Sequence, residues 1–418
     1  MLDTPAQPLL LNGVLQHYAW GGYNFLPNLL GRGNPDHLPT AELWIGTHEK
    51  GPAEVVGTST TLAELIAAEP LATLGGDVAR HFNNRLPFLF KILDVREMLS
   101  IQVHPTKAAA EEGFAREEQQ GPARDAADRN YRDDNHKPEL GVALSDFYLL
   151  HGFRTPRDVR FVLQTVPGWQ SLVKVLDAGG VRGLYRHVME LPQGEVNELL
   201  QPLYEHLADG PAADLDEPDY WAKTAFEQYT NDGDYDRGIF SIYWFNVVHL
   251  TPGEAIFQDA GIPHAYLRGT CVEIMANSDN VLRGGLTPKH IDVPELLRNV
   301  RFEPVVPNIL YPQVGDDDWD DYDVPVSDFS LGVAEKRVGD ALEVTVVTGP
   351  SILFLLSGRI VETYSGITLN HRQRTMFIPA GDHRAFDVQE NCVVYRAGVN
   401  AQRLDSPASG QGHHVTDT

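Results

Sequence analysis

What most restricts this chain is how its apolar residues are punctuated. LPFLFKIL (86–93), MLSIQVHP (98–105) and ELGVALSDFYLLHGF (139–153) are each of strand length or contain a strand, and Gly, Pro and Asn punctuate them. Five more runs follow towards the C-terminus, LEVTVVTG, PSILFLLSG, RIVETYSG, TMFIPAG and CVVYRAG, each closed by Gly. Short strands joined by tight turns bury their apolar faces against a second sheet or by closing on themselves, so a sandwich or jelly roll is expected. The 37 Gly and 28 Pro among 418 residues fit a turn-rich, mainly β chain.

The middle of the chain breaks this pattern. Thr155-Pro156 with Asp158 has the form of an N-cap, a proline at the first helical position and an acid in the first turn. Val196, Leu199, Leu200, Leu203, Tyr204 and Leu207 recur at the spacing of one helix face, with Pro202 expected to kink or divide that helix. Residues 156–235 therefore read as a helical insertion, and strand character resumes at GIFSIYWFNVVHL (238–250). The polar stretch 111–135 reads as a helical turn followed by an exposed loop free to move over a site. DDDWDDYD (316–323) reads as a solvated linker. The expected divisions are a β domain in two parts, 1–155 and 236–325, the insertion 156–235, a C-terminal jelly roll 326–405 and a polar tail 406–418.

Charge and cysteines narrow the partners. A net charge of −25 argues against nucleic acid or an anionic membrane surface as partner. Cys271 and Cys392 lie far apart with no CxxC pair, so a reducing, cytoplasmic compartment is expected. The N-terminal MLDTPAQPLLLN lacks the basic residues of a signal peptide, and no apolar run approaches the roughly 18 residues of a membrane span.

One constellation carries chemistry. SIQVHP (100–105) sets Gln102 and His104 two apart in a strand-like segment, so both side chains face one way. NHKPEL (135–140) offers His136, Lys137 and Glu139 at the start of another strand, and GIPHAY (261–266) sets His264 after a Gly-Pro turn. Gln102, His104, Glu139 and His264 would form a nitrogen and oxygen site without sulfur, which suits Zn²⁺ and also accepts Fe²⁺ or Mn²⁺. Any one of these histidines alone would read as a hydrogen-bonded core residue, and Glu139 alone as a capping acid. NSDNVLRGGLTPK (277–289) presents Arg283 and Lys289 beside two glycines that permit close backbone approach to a ligand; alone it would read as a surface loop. HEKGP (48–52) lacks the second histidine of HExxH, and no GxGxxG, GxxxxGK[ST] or GxSxG is present.

Taken in order, YAWGG (18–22), AELWIGTH (41–48), LPFLFKILDV (86–95), LSIQVHP (99–105), NHKPE (135–139), GIPHAY (261–266) and SDNVLRGGLTPK (278–289) resemble the type I mannose-6-phosphate isomerase (phosphomannose isomerase) family. The resemblance implies two cupin-like jelly rolls with a helical domain inserted in the first. It implies one zinc ion per chain on Gln102, His104, Glu139 and His264, and an active-site arginine at Arg283. Lys91, His136 and Lys137 match positions lining the same pocket, and Ser100 and Lys289 match residues associated with the sugar phosphate. Gly284 departs from the alanine usual after the arginine, which puts the rigidity of that loop in question.

The activity so implied is interconversion of mannose 6-phosphate and fructose 6-phosphate through an enediol, by a monomer or weak homo-oligomer. His136 is the first choice for the base and Lys91 the second, since a lysine needs a lowered pKa for that role. His136 reads equally as a group that orients Glu139. A non-haem iron oxygenase and a non-catalytic sugar-phosphate-binding protein are the alternatives. Gln102 and the cation-rich loop argue against the first, and the full ligand set against the second.

Overall fold

The strand His264–Ala276 belongs to two ladders at once. Its first residues pair with Phe147–Phe153 and, at His264, with Gln102. From Gly269 onward it pairs with Phe88–Val95 on one side and, from Cys271, with Glu139–Ala143 on the other. The handover falls at Gly269, φ 121°, just after a register shift between Tyr266 and Arg268. A strand that changes partners in mid-course folds one ladder over the other, as in a jelly roll. The computed structural model describes residues 7–404 apart from 211, 212, 316 and 347, and the expected tail from Ser406 lies outside the described residues.

Around this strand the first sheet runs Ile309–Leu310, Ala255–Gln258, Glu139–Ala143, His264–Ala276, Phe88–Val95, Glu42–Gly46, Val14–Gln16, antiparallel throughout. Gln102–Val103, Leu282–Arg283 and Phe245–Leu250 complete it through the other ladder. The second sheet is built on the long strand Asp382–Gly398, which pairs with Ser330–Lys336, Ala341–Val346 and Ser351–Glu362. The N-terminal strand Leu9–Asn12 also belongs to it, because it pairs with Thr375–Ile378. Phe90, Leu140 and Ile274 of the first sheet share one core with Phe354, Phe377 and Tyr395 of the second.

The chain is mainly β, with two antiparallel sheets of the cupin type, as expected. Five helices, Pro156–Thr165, Val173–Glu190, Gln193–Asp209, Pro218–Tyr229 and Gly238–Trp244, lie between the strands Phe147–Phe153 and Phe245–Leu250. The Thr155 hydroxyl accepts the Asp158 N–H at 3.2 Å, so the N-cap is where the sequence places it. On the periodic face Val196, Leu200, Leu203 and Leu207 are buried, while Tyr204 is exposed.

Five local expectations need correction. The helix Gln193–Asp209 runs through Pro202 unbroken, and the break falls instead at Gly180, φ 62°, within Val173–Glu190. Gly238–Trp244 is helical rather than strand; every one of its residues is buried, so no face-dependent period distinguished the two. The polar stretch 111–135 is not a free loop. Helix Lys107–Gln120 covers its first part, and buried Arg129 donates to the carbonyls of Glu117, Pro122 and Tyr131 in the rest. The fourth concerns Gly358, φ 88°, which does not end a strand but sits in a bulge of Ser351–Glu362.

The described part of the acidic run, 317–323, is likewise structured and not a linker. Asp320–Tyr322 pairs with Ser330–Lys336, Asp321 binds Arg396 at 3.0 Å and Asp318 binds Lys336 at 2.5 Å. Trp319 is fully buried, donates to the Glu343 carbonyl at 2.8 Å and carries the Arg396 guanidinium over its ring. Trp319→Ala is therefore expected to destabilise the protein by about 3–5 kcal/mol, as for a buried aromatic. Urea unfolding measures this, and a change within about 0.5 kcal/mol, as at an ordinary surface position, would contradict the packing.

Candidate active site

Strand pairing brings the separated motifs together. His264 lies opposite Gln102, and Gln102 lies opposite Arg283 in the next ladder, so all three share a face. His104 lies two residues beyond Gln102. Glu139 opens a strand that pairs with the second half of His264–Ala276. One ligand atom from each of His104, Glu139 and His264 lies within 4.8 Å of the others, and all three residues are buried.

The hydrogen bonds decide what this cluster can hold. The Nδ1 of His104 lies 3.0 Å from the Asn280 carbonyl, and the Nδ1 of His264 lies 2.9 Å from the Ile262 carbonyl. A carbonyl can only accept, so each Nδ1 carries the proton and each Nε2 presents a lone pair. Those two Nε2 atoms face Glu139, each 3.3 Å from a different carboxylate oxygen. Burial pushes the His104 imidazole down to about 4, which keeps it neutral. Lone pairs from two imidazoles and a carboxylate converging in a buried site fit a metal cation, and the His104 Nε2 has no hydrogen-bond partner. Gln102, on the same strand face, fits as a fourth donor.

Two further carboxylates and two amines crowd the same space. Lys91 is buried, 2.9 Å from Glu273 and 3.7 Å from Glu42. Burial acts to lower its pKa, but Glu273, Glu42 and Glu139 outweigh burial and raise it. The lowered pKa that a base at Lys91 requires is thus not what its surroundings give. Burial raises the Glu273 carboxyl, against the pull of Lys91. Lys137 lies 3.2 Å from Glu139; burial acts to raise that carboxyl, and the Lys137 ammonium draws it below the usual range. His136 Nε2 lies 3.0 Å from Asp328.

Arg283 and Lys289 stand with a cation the sequence reading passed over, Arg132. Burial and Arg132 lower the Arg283 pKa, and burial, Arg283 and Arg132 lower that of Lys289. Among the described residues none of the three has a carboxylate partner, an arrangement that attracts an anion. Ser100 is partly exposed beside this loop, since the Ile101 N–H donates to the Gly285 carbonyl and the Gly284 N–H donates to the Ile101 carbonyl. Those two bonds answer the question raised by Gly284: the loop is pinned, and a Cβ at Gly284 would meet the Tyr185 hydroxyl at 2.7 Å. Gly285, φ 122°, is confined to glycine, for a side chain there would overlap Gly238.

Glu42, Glu273, Asn280 and Arg132 escaped the sequence reading. Glu273 is an odd number of residues from His264, which in a regular strand puts it on the other face; the register shift at Tyr266–Arg268 changes that phase. Asn280 had a visible signal, as an asparagine within the loop motif. It is fully buried, accepts the Arg132 N–H at 2.7 Å, donates to the carbonyls of Asp133 and Asn135, and offers its own carbonyl to His104.

Residues 9–156 match the family model of the phosphomannose isomerase type I catalytic domain. The mannose-6-phosphate isomerase of Salmonella typhimurium is 41% identical over 362 residues, covering 84% of this chain and 89% of the relative. That of Homo sapiens is 34% identical over 428 residues, covering 93% and 97%. A crystal structure of mannose 6-phosphate isomerase bound with zinc and yttrium aligns with a TM-score of 0.84 at 36% identity, covering 94% of this chain and all of the other.

Asn280→Ala keeps the backbone carbonyl that meets His104 but removes the side-chain bonds to Arg132, Asp133 and Asn135 that fix its position, so metal binding is expected to weaken by roughly 10- to 100-fold. Competitive chelator titration checks this, and unchanged affinity would contradict the orienting role. A second expectation concerns acid. Burial also pushes His151 down to about 4, so unfolding lets it and His104 take up protons below the ordinary histidine value of about 6.5. Their contribution to stability is present above that pH and lost as pH falls towards 4. The metal-free protein should have a lower urea midpoint at pH 5 than at pH 7, and His151→Gln should reduce the difference.

Proposed function

The chain belongs to the type I phosphomannose isomerase family, and from that premise we propose that it interconverts mannose 6-phosphate and fructose 6-phosphate by zinc-dependent proton transfer through an enediol. The observation that carries the zinc dependence is the convergence of two imidazole lone pairs on the two oxygens of Glu139. Gln102, His104, Glu139 and His264 would hold one ion. When bound, zinc supplies Lewis acidity and a fixed point for the sugar oxygens.

Charge balance supports the same reading. Glu42, Glu139 and Glu273 against Lys91 and Lys137 leave one formal negative charge in the buried cluster, and a divalent cation makes it positive. A site that changes sign with its metal suits an anionic sugar phosphate and the enediolate formed from it. Arg283, Lys289 and Arg132, with Ser100, bind the phosphate and the negative charge that develops near it. Arg283 has the planar, permanently charged group that suits a delocalised oxyanion.

The isomerisation moves one proton between C1 and C2 and a second between O1 and O2. His136 is the base that takes the first from one carbon and returns it to the other. Lys91, kept cationic by Glu273 and Glu42, donates hydrogen bonds rather than accepting the proton. Lys137 stays on Glu139 and holds it for the metal. Among the described residues no helix is long and apolar enough to cross a membrane.

A coupled assay on mannose 6-phosphate, with metal analysis of the same sample, tests this function directly. Arg283→Ala is expected to lower kcat by about 100- to 1,000-fold, the effect of losing one oxyanion donor, with zinc content unchanged. Turnover near wild type in that variant would remove the role given to Arg283.

A further inference from the structure

Asp328 lies just before the strand Ser330–Lys336 of the second sheet, far in sequence from every motif described above. It is 6% exposed, and its Oδ1 lies 3.0 Å from the Nε2 of His136. No lysine or arginine is within ion-pair distance of it among the described residues. It is placed firmly from both sides: next to it Phe329 is fully buried in the core shared by the two sheets, and the Ser327 carbonyl accepts the Asn400 N–H.

His136 is held at its backbone by a separate set of bonds. The Asn135 N–H donates to Asp133, and the Asn135 carbonyl accepts from Asn280 and Ser278. Those bonds fix the chain but leave the imidazole free to turn about its side-chain torsions. A carboxylate can only accept, so its bond to Nε2 puts a proton there, and in the neutral ring Nδ1 is then the lone-pair nitrogen. Among the described residues no protein group bonds to Nδ1.

From this we infer that Asp328 is a positioning residue for the isomerisation. It fixes the rotation and the tautomer of His136, so that Nδ1 is the atom that accepts the substrate proton. The second sheet thereby takes part in the reaction through one buried carboxylate. The inference rests on the reading of His136 as the base. Neither side chain contacts the phosphate-binding cations, so binding of the substrate should be little affected.

The test uses full-length, zinc-loaded protein in four forms: wild type, Asp328→Ala, His136→Gln and the double variant. Asp328→Ala should lower kcat by roughly 10- to 100-fold, the usual effect of losing a group that orients a functional histidine, with KM and zinc content close to wild type. The double variant should be no slower than His136→Gln alone, because Asp328 acts only through that ring. A purely structural defect would instead multiply with the loss at His136. Nitrogen-15 spectra of the imidazole should show the proton on Nε2 in wild type and a mixture of tautomers in Asp328→Ala. If His136→Gln is impaired while Asp328→Ala turns over like wild type, or if the two losses multiply, the positioning role is overturned. If His136→Gln itself keeps normal turnover, the assignment of the base has failed, and this inference falls with it.

Discussion

The arrangement of the first sheet depends on one electrostatic problem, two imidazole lone pairs and a carboxylate pointing at each other inside the protein. Each Nε2 presents a lone pair to a Glu139 oxygen at 3.3 Å, and both ring protons are committed to backbone carbonyls on the far side. Buried acceptors that meet without a proton between them are costly, and a cation is what makes the arrangement favourable. The strand His264–Ala276 exists in its two-ladder form to deliver this convergence, since it sets His264 against Gln102 and carries Glu273 beside Lys91. Asn280 then locks the ligand strand to the loop that holds Arg283.

Charge is handled by separation. An overall −25 would repel a sugar phosphate at long range, yet screening limits that field to about 8–10 Å at physiological salt. Within that distance an anion would meet Arg283, Lys289 and Arg132, none of which is neutralised by a neighbouring acid among the described residues. Much of the negative charge is spent elsewhere, as in the acidic segment around Trp319, where Asp318 and Asp321 bind Lys336 and Arg396.

The site was legible in the sequence wherever chemistry and strand period coincide. Gln102 and His104 declare a common face by their spacing, and the arginine and lysine of the glycine loop declare themselves by their company. Glu273 was illegible because a bulge altered the phase, and Glu42 because its role is set by a cross-strand neighbour, Lys91, and not by anything local. In the fold, capping at Thr155 could be read directly, and so could the Gly-closed turns apart from Gly358, which lies within a bulged strand. The helix Gly238–Trp244 could not, for uniform burial erases the pattern that separates helix from strand. Asp328 lay beyond reach for another reason: only tertiary packing of the second sheet brings it to His136.

The most direct measurement is stoichiometric. The purified protein is stripped with chelator, zinc is returned in steps, and bound metal and turnover of mannose 6-phosphate are followed together. If His104, Glu139 and His264 hold the ion that the reaction needs, the stripped protein is inactive. Activity then rises in proportion to bound zinc and levels off at one ion per chain. Full turnover in protein shown to be free of metal would contradict it, as would zinc binding that leaves turnover unchanged.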